Sequence, residues 1–314
     1  MKNVVILLVS MLAAFQTLAQ PVQLVRYSEL PDPKPADKAS WAAGKPGSYV
    51  RFASADVRYK KHSAPDAASL PVTWSAKAWK GEKIHTQVLV WTTSALSGVG
   101  LTGSALKDGK GNVIPASQVS ASFVRYVMTD GLSPEGGGCD ERPPGKYDSS
   151  LVADPIDRVK LLDVPQQTTQ PVWLSVAVPP TAAAGRYAGT LTVTSRSLAK
   201  PAVLTYTIDV QNHALPAPKD WKFHLDLWQN PYSVARVHGV PVWSKEHMEL
   251  MRPYMKMLAD AGQKSITATI IHDPWRSQTE DVYGSMVKWT KKKDGSWAYD
   301  YAIFDQWVAY MMDL

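Results

Sequence analysis

The chain has 314 residues, of which 45% are hydrophobic and 20% charged, so it can bury one large core or two ordinary ones and is not a disordered chain. Its net charge of +6 is spread along the sequence, and the densest run, Lys291-Lys292-Lys293, runs into Asp294-Gly295 as a solvated turn would, which argues against nucleic-acid binding. A single cysteine, Cys139, excludes an internal disulfide and with it a small stapled scaffold; set in a Gly-rich loop without a neighbouring histidine, it reads as an inert thiol.

The first elements in chain order are those of an export signal. Lys2 supplies a positive charge, Val4 to Phe15 an apolar stretch too short to span a bilayer, and Thr17-Leu18-Ala19 a cleavage segment, with Gln20 as the expected new N-terminus. No cysteine follows the apolar run, so no lipid anchor is indicated, and no later stretch is long and apolar enough for a membrane span. The expectation is an exported protein of a bacterial periplasm or surface.

From Tyr49 to Val210 the pattern is that of strands. Lys83–Thr92 and Ser120–Met128 are rich in β-branched and aromatic residues, and Lys107-Asp108-Gly109-Lys110-Gly111-Asn112 between them reads as a hairpin connection. Val172, Leu174, Val176 and Val178 alternate with Trp173, Ser175 and Ala177. Tyr187, Leu191 and Val193 alternate with Thr190, Thr192 and Thr194, and Leu204, Tyr206, Ile208 and Val210 share one side of the next segment. Polar alternate faces and Gly/Pro turns predict an antiparallel β-sandwich over residues 20–215. Gly131 to Asp154, rich in Gly and Pro, is expected to be a long loop. Leu215-Pro216-Ala217-Pro218-Lys219 breaks the pattern, and 216–220 is read as a linker.

After the linker the periodicity changes. Trp221–Trp228 predicts a strand, and Asn230-Pro231 to Gly239-Val240-Pro241 a loop. Ser244 caps a helix with Glu246 in its first turn, Met248, Met251, Tyr254, Met255 and Leu258 on its core face, Pro253 as a kink and Gly262 as its stop. Ser265–Ile271 predicts a second strand and Ile303–Met312 a second helix, through Phe304, Trp307, Val308 and Met311. Strand, helix, strand, helix implies right-handed βα units, so residues 221–314 are expected to form the incomplete start, about two repeats, of a (β/α)8 barrel. A small α+β cap is the alternative.

Two clusters lie where ligands meet such strands: His224, Asp226, Trp228, Gln229 and Asn230, then His272, Asp273, Pro274 and Trp275. Indoles stack on the apolar face of a sugar ring while carboxylates and amides grip hydroxyls, so the mixture suits a carbohydrate. Each residue taken singly has a plainer reading, an interior histidine at His224 or a turn opener at Asp273-Pro274; the pairing of the clusters favours the functional one. The seven histidines show no HxxxH or HExxH spacing, no nucleophile elbow is present and no Gly-rich phosphate loop follows a strand, so neither metal nor other cofactor is expected. Asp140-Glu141 sits in the Gly-rich loop before Arg142-Pro143-Pro144 and reads as solvated or Arg-paired.

Ala78-Trp79-Lys80-Gly81-Glu82 leading into Gln87-Val88-Leu89-Val90-Trp91 resembles the N-terminal sandwich of glycoside hydrolase family 123. His224-Leu225-Asp226-Leu227-Trp228-Gln229-Asn230-Pro231, Ile270-Ile271-His272-Asp273-Pro274-Trp275, Met286-Val287-Lys288-Trp289 and Asp300-Tyr301 resemble successive parts of its catalytic barrel. The resemblance implies an exo-acting β-N-acetylgalactosaminidase with a substrate-assisted, retaining mechanism. In it the substrate's acetamido oxygen attacks the anomeric carbon, an Asp orients that group and the following Glu is general acid/base. No position in this chain matches that pair, so the chain is expected to be an N-terminal fragment with no catalytic residue of its own. What the resemblance carries over is a share of the sugar pocket: Asp226, Trp228, His272, Asp273 and Trp275. The implied partner is a glycan with a terminal N-acetylhexosamine; the oligomeric state stays open. The alternative function is a non-catalytic carbohydrate-binding or accessory protein built on the sandwich.

Overall fold

The computed structural model describes residues 27–34, 36–129, 149–275, 279 and 281–314. The proposed signal segment, Cys139, Asp140-Glu141 and most of the expected 131–154 loop lie outside these residues. The described chain divides into two compact units, 27–225 and 226–314.

The first unit carries a short helix, α1 (Lys38–Ala43), and twelve strands: β1 (Ser48–Ala53), β2 (Thr73–Lys80), β3 (Lys83–Thr92), β4 (Leu96–Gly103), β5 (Leu106–Lys107), β6 (Val113–Ile114), β7 (Val119–Thr129), β8 (Ser150–Asp157), β9 (Leu161–Val164), β10 (Thr168–Ala177), β11 (Gly185–Thr194) and β12 (Ala202–Ala214). One sheet runs β1-β3-β10-β7-β8 and the other β2-β12-β11-β4-β9, with the β5–β6 hairpin joined to β11. The alternation read from the sequence is the cause of this packing. Val172, Leu174 and Val176 are fully buried, as are Leu191, Val193, Tyr206 and Ile208 from the facing sheet. Each such side chain contributes about 1.5–3 kcal/mol by leaving water.

The sandwich departs from expectation in two places. It is not wholly antiparallel, because edge strand β2 pairs in parallel with β12, from Thr73 opposite Thr205 to Ala78 opposite Val210. The loop expected to reach Asp154 ends earlier, since Ser150–Asp157 pairs with β7.

The segment ahead of α1 is pinned to the first sheet by charge. The Glu29 carboxylate accepts from Lys61 Nζ at 2.6 Å, Arg125 Nε at 2.6 Å and the Tyr126 amide at 3.2 Å, and Arg125 also donates to Asp157 at 2.9 Å. Burial pushes the Glu29 pKa upward, but the bonds from Lys61 and Arg125 outweigh it and hold the carboxyl below its ordinary value. Nearby, the buried Tyr126 hydroxyl donates to Thr169 O at 2.7 Å.

The second unit contains α2 (Pro231–His238), α3 (Lys245–Asp260), the hairpin β13 (Lys288–Lys291) and β14 (Trp297–Asp300), and α4 (Ala302–Met312). Helices α3 and α4 stand where their periodicity places them. Ser244 caps α3 by accepting from His247 N, and Met251, Met255 and Trp307 form the centre of the core. Tyr254 is a correction: it faces solvent, and its hydroxyl lies 3.2 Å from His238 Nε2.

Helix α2 occupies what reads as a loop. Asn230 accepts from Tyr232 N and Ser233 N, Pro231 begins the first turn, and Gly239 takes the left-handed conformation (φ 66°) that ends it. The cap signals are all present, but two turns are too few for an apolar period to show.

Neither expected strand, Trp221–Trp228 or Ser265–Ile271, forms a ladder; only isolated bridge positions occur, at Leu225 and Gln263. The reason lies in two glutamines. Leu227 N donates to Gln263 Oε1 at 3.0 Å, and Gln263 Nε2 donates to Leu227 O at 3.1 Å. Thr267 N likewise donates to Gln229 Oε1 at 2.7 Å, while Gln229 N donates to Thr267 Oγ1 at 3.2 Å. Side-chain groups thus take up the backbone donors and acceptors that a ladder would pair with one another.

Candidate functional site

Gln229, almost wholly buried, fixes the end of the first segment against the second, and Asn230 immediately starts α2. Trp228, one residue before this anchor, is left 63% exposed. Across from it, Thr269 Oγ1 donates to Gly284 O at 2.6 Å and Met286 N to Thr269 O at 2.8 Å, which lays residues 283–286 along the second segment. Asp273 N then donates to Tyr283 O at 2.9 Å. Asp273 has φ 46°, a left-handed conformation that costs a non-glycine residue about 1–2 kcal/mol and reverses the chain before Pro274 and Trp275.

That turn brings the two predicted tryptophans together. The Trp228 and Trp275 ring centroids are 4.9 Å apart with planes at 41°, and Trp275 packs in turn on Tyr283 at 4.7 Å and 58°. Tyr283 is buried, which pushes its hydroxyl pKa up, and it meets Tyr232, whose hydroxyl donates to Gly284 O at 2.9 Å. Tyr232 packs on Trp243, and Trp243 on Trp307. The exposed indole is therefore the outer end of an aromatic series that reaches the core, and such a series holds the outer rings in place.

Of the five residues predicted from sequence, Trp228 and Trp275 are in ring contact, and Asp273 sits half-buried on the same turn as Trp275. Asp226 and His272 are exposed, beside these rings in sequence but not packed into the series. Sequence reasoning missed Tyr283 and Tyr232. Both lie outside any periodic segment, and only the folded turn puts Tyr283 beneath Trp275. Chemically, the arrangement offers a tilted pair of indole faces with carboxylates and an imidazole close in sequence, a surface suited to the C–H face and hydroxyls of a sugar ring.

Two family models match the chain, the glycoside hydrolase 123 N-terminal domain over residues 52–195 and the glycoside hydrolase 123 catalytic domain over residues 228–314. The chain belongs to glycoside hydrolase family 123. The second match begins at Trp228 and takes in Asp273 and Trp275. Among solved structures, a family 123 glycoside hydrolase from Clostridium perfringens, described for glycolipid glycan hydrolysis, superposes with a TM-score of 0.75 at 24% identity. The match covers 85% of this chain and 45% of that one, so the chain spans under half the length of that family 123 enzyme. The CooA pilin subunit of enterotoxigenic Escherichia coli (15% identity, TM-score 0.24, covering 52% of this chain and 97% of that one) is also similar, at a level that carries no argument. No curated protein matches. Among the described residues, no helix is long and apolar enough to cross a membrane.

Proposed function

We propose that this chain supplies the sandwich and the first sugar-binding elements, the opening of a (β/α)8 barrel, to an exported glycosidase that acts on glycans ending in β-linked N-acetylgalactosamine. The contact between Trp228 and Trp275 carries the reading. The terminal sugar stacks on these indoles, while Asp226, Asp273 and His272 take its hydroxyls. Supporting it are the catalytic-domain match over residues 228–314 and the glycolipid glycan hydrolysis described for the Clostridium perfringens relative. Hydrolysis itself is substrate-assisted in this reading, and the Asp-Glu pair it needs has no counterpart among the residues assigned here.

The test measures two quantities on the purified chain: binding of N-acetylgalactosamine, and release of nitrophenol from its β-nitrophenyl glycoside. Binding without turnover is expected, weakened when Trp228 is replaced by Ala. Absence of any sugar binding sinks the proposal, and turnover by the 314-residue chain sinks the reading that no position in it serves as the catalytic pair. Export is tested separately by N-terminal sequencing of the chain recovered from a bacterial periplasm, with Gln20 expected as the first residue.

A further inference from the structure

The connection between the His272–Trp275 turn and α4 carries a second group of aromatic side chains, which the site described above does not use. In the β13–β14 hairpin, Trp289 pairs with Tyr299 and Lys291 with Trp297. Alternate residues of a strand project to one side, so these four share a face, and Lys288, Thr290, Ala298 and Asp300 share the other. On the first face the rings meet edge to face: Trp289 and Tyr299 at 5.0 Å and 87°, Trp289 and Trp297 at 6.1 Å and 78°. Lys291 Nζ lies 5.9 Å from the Trp297 ring centroid.

These contacts fix the rings without covering them. Trp289, Trp297 and Tyr299 remain 46%, 47% and 46% exposed. The Trp289 indole N–H donates to Ile270 O at 2.8 Å, two residues before His272, which ties the hairpin to the segment that ends in the candidate site. Among the described residues, the Trp297 N–H and the Tyr299 hydroxyl have no protein hydrogen-bond partner. Open ring faces beside unengaged donors match a pyranose, which presents C–H groups on its faces and hydroxyls around its rim.

A lipid surface would call for a different layout, with the rings at the hairpin tip, where insertion begins. Here the tip is Lys292-Lys293-Asp294-Gly295-Ser296, held by Lys292 N to Ser296 O and by Asp294 accepting from Ser296, and the rings lie along the strands behind it.

We propose that the aromatic face of this hairpin is a second sugar subsite, which takes the residue adjoining the terminal sugar held at Trp228 and Trp275. The inference rests on the reading of that first site as a sugar site. It is tested by calorimetric titration of the 314-residue chain with N-acetylgalactosamine and with an oligosaccharide carrying that sugar β-linked at its non-reducing end. The variants are Trp297→Ala, Tyr299→Ala and Trp228→Ala, each checked for an unchanged melting temperature.

The hairpin variants are expected to weaken the oligosaccharide about tenfold and leave the monosaccharide unchanged. Trp228→Ala is expected to weaken both. Oligosaccharide affinity unchanged in the hairpin variants overturns the subsite and leaves the first site standing. Equal weakening of both sugars by the hairpin variants also overturns it, since that is the mark of a structural role. A wild-type chain that binds neither sugar overturns the site reading and the subsite together. Binding to glycan-free phosphatidylglycerol vesicles that the hairpin variants abolish, with oligosaccharide affinity intact, assigns the face to lipid instead.

Discussion

The side chain of His247 closes the turn that begins α3: its Nδ1 accepts the Trp243 amide at 3.0 Å, while its Nε2 lies 2.8 Å from Pro231 O. One nitrogen must accept and the other donate, so the fold selects the neutral Nε2–H tautomer. Trp243 has φ 64°, and this hydrogen bond is part of what holds a non-glycine residue there.

A pH dependence follows. Burial lowers the His247 pKa from 6.5, further lowered by His238 and opposed by the bond to Pro231. The folded form binds its proton less readily than the unfolded form, so the stabilisation is complete above about pH 6.5 and is lost as pH falls from there toward the depressed folded value. Urea unfolding followed at about pH 7.5 and about pH 5.5, either side of the ordinary histidine value, should show lower stability at the acid pH. In His247→Phe that difference should shrink, and stability near pH 7.5 should drop by about 1–3 kcal/mol for the stranded Trp243 amide and Pro231 carbonyl. An equal acid loss in both proteins would refute the assignment.

The sandwich should respond in a different pH window. Glu29 has its carboxyl held low against burial by Lys61 and Arg125, so its stabilisation is full above about pH 4.5 and disappears as pH falls through its lowered folded value. Glu29→Ala leaves two largely buried cations short of a partner and should cost about 3 kcal/mol at neutral pH. Acid titration of the two proteins by circular dichroism checks this. A variant as steeply acid-labile as the wild type below about pH 4.5 would contradict it.

The sandwich and the site differ in how far the sequence could be read. From Val172 to Val176 in β10, Leu191 to Val193 in β11 and Leu204 to Val210 in β12 every second residue is apolar, and that period alone sorts Leu174, Leu191 and Ile208 into the core. The parallel pairing of β2 with β12 has no such signature, because period-2 alternation says which face a residue takes but not which strand lies beside it. Near the site, Trp228 and Trp275 are singled out by their clusters at the ends of two expected strands, although neither strand forms a ladder. Those clusters could not show that Tyr283 lies under Trp275, which depends on the left-handed turn at Asp273. The missing ladders after Trp221 and Ser265 turn on side-chain amides, and a glutamine that replaces a backbone partner looks in sequence like any other glutamine.

Trp228 separates binding from folding. Its ring is largely exposed and touches Trp275 only at the outer end of the aromatic series. Trp228→Ala should therefore change stability by about 0.5 kcal/mol or less while lowering sugar affinity about tenfold or more. Trp275→Ala should lower both, since it also uncovers Tyr283. Paired calorimetric titrations and thermal melts distinguish the two. Equal destabilisation by both substitutions would count against Trp228 as a binding surface.

Gln229 offers the sharpest test of the side-chain bridge. Its side chain is almost wholly buried, and its amide serves Thr267 N at 2.7 Å and the Leu227 carbonyl, with Ser265 O at 3.4 Å. Gln229→Ala strands the Thr267 amide and opens a cavity, at a cost of about 2–4 kcal/mol. Gln229→Glu keeps the acceptor for Thr267 N but places a carboxylate oxygen against the Leu227 and Ser265 carbonyls. It should also destabilise near neutral pH and recover part of the loss on acidification, as the carboxyl protonates and regains a donor. Urea melts of the wild type and both variants at about pH 7 and about pH 5 read the difference. If the Gln229→Glu protein matched the wild type in stability at both pH values, the amide's donor side would not be needed to hold the two segments together.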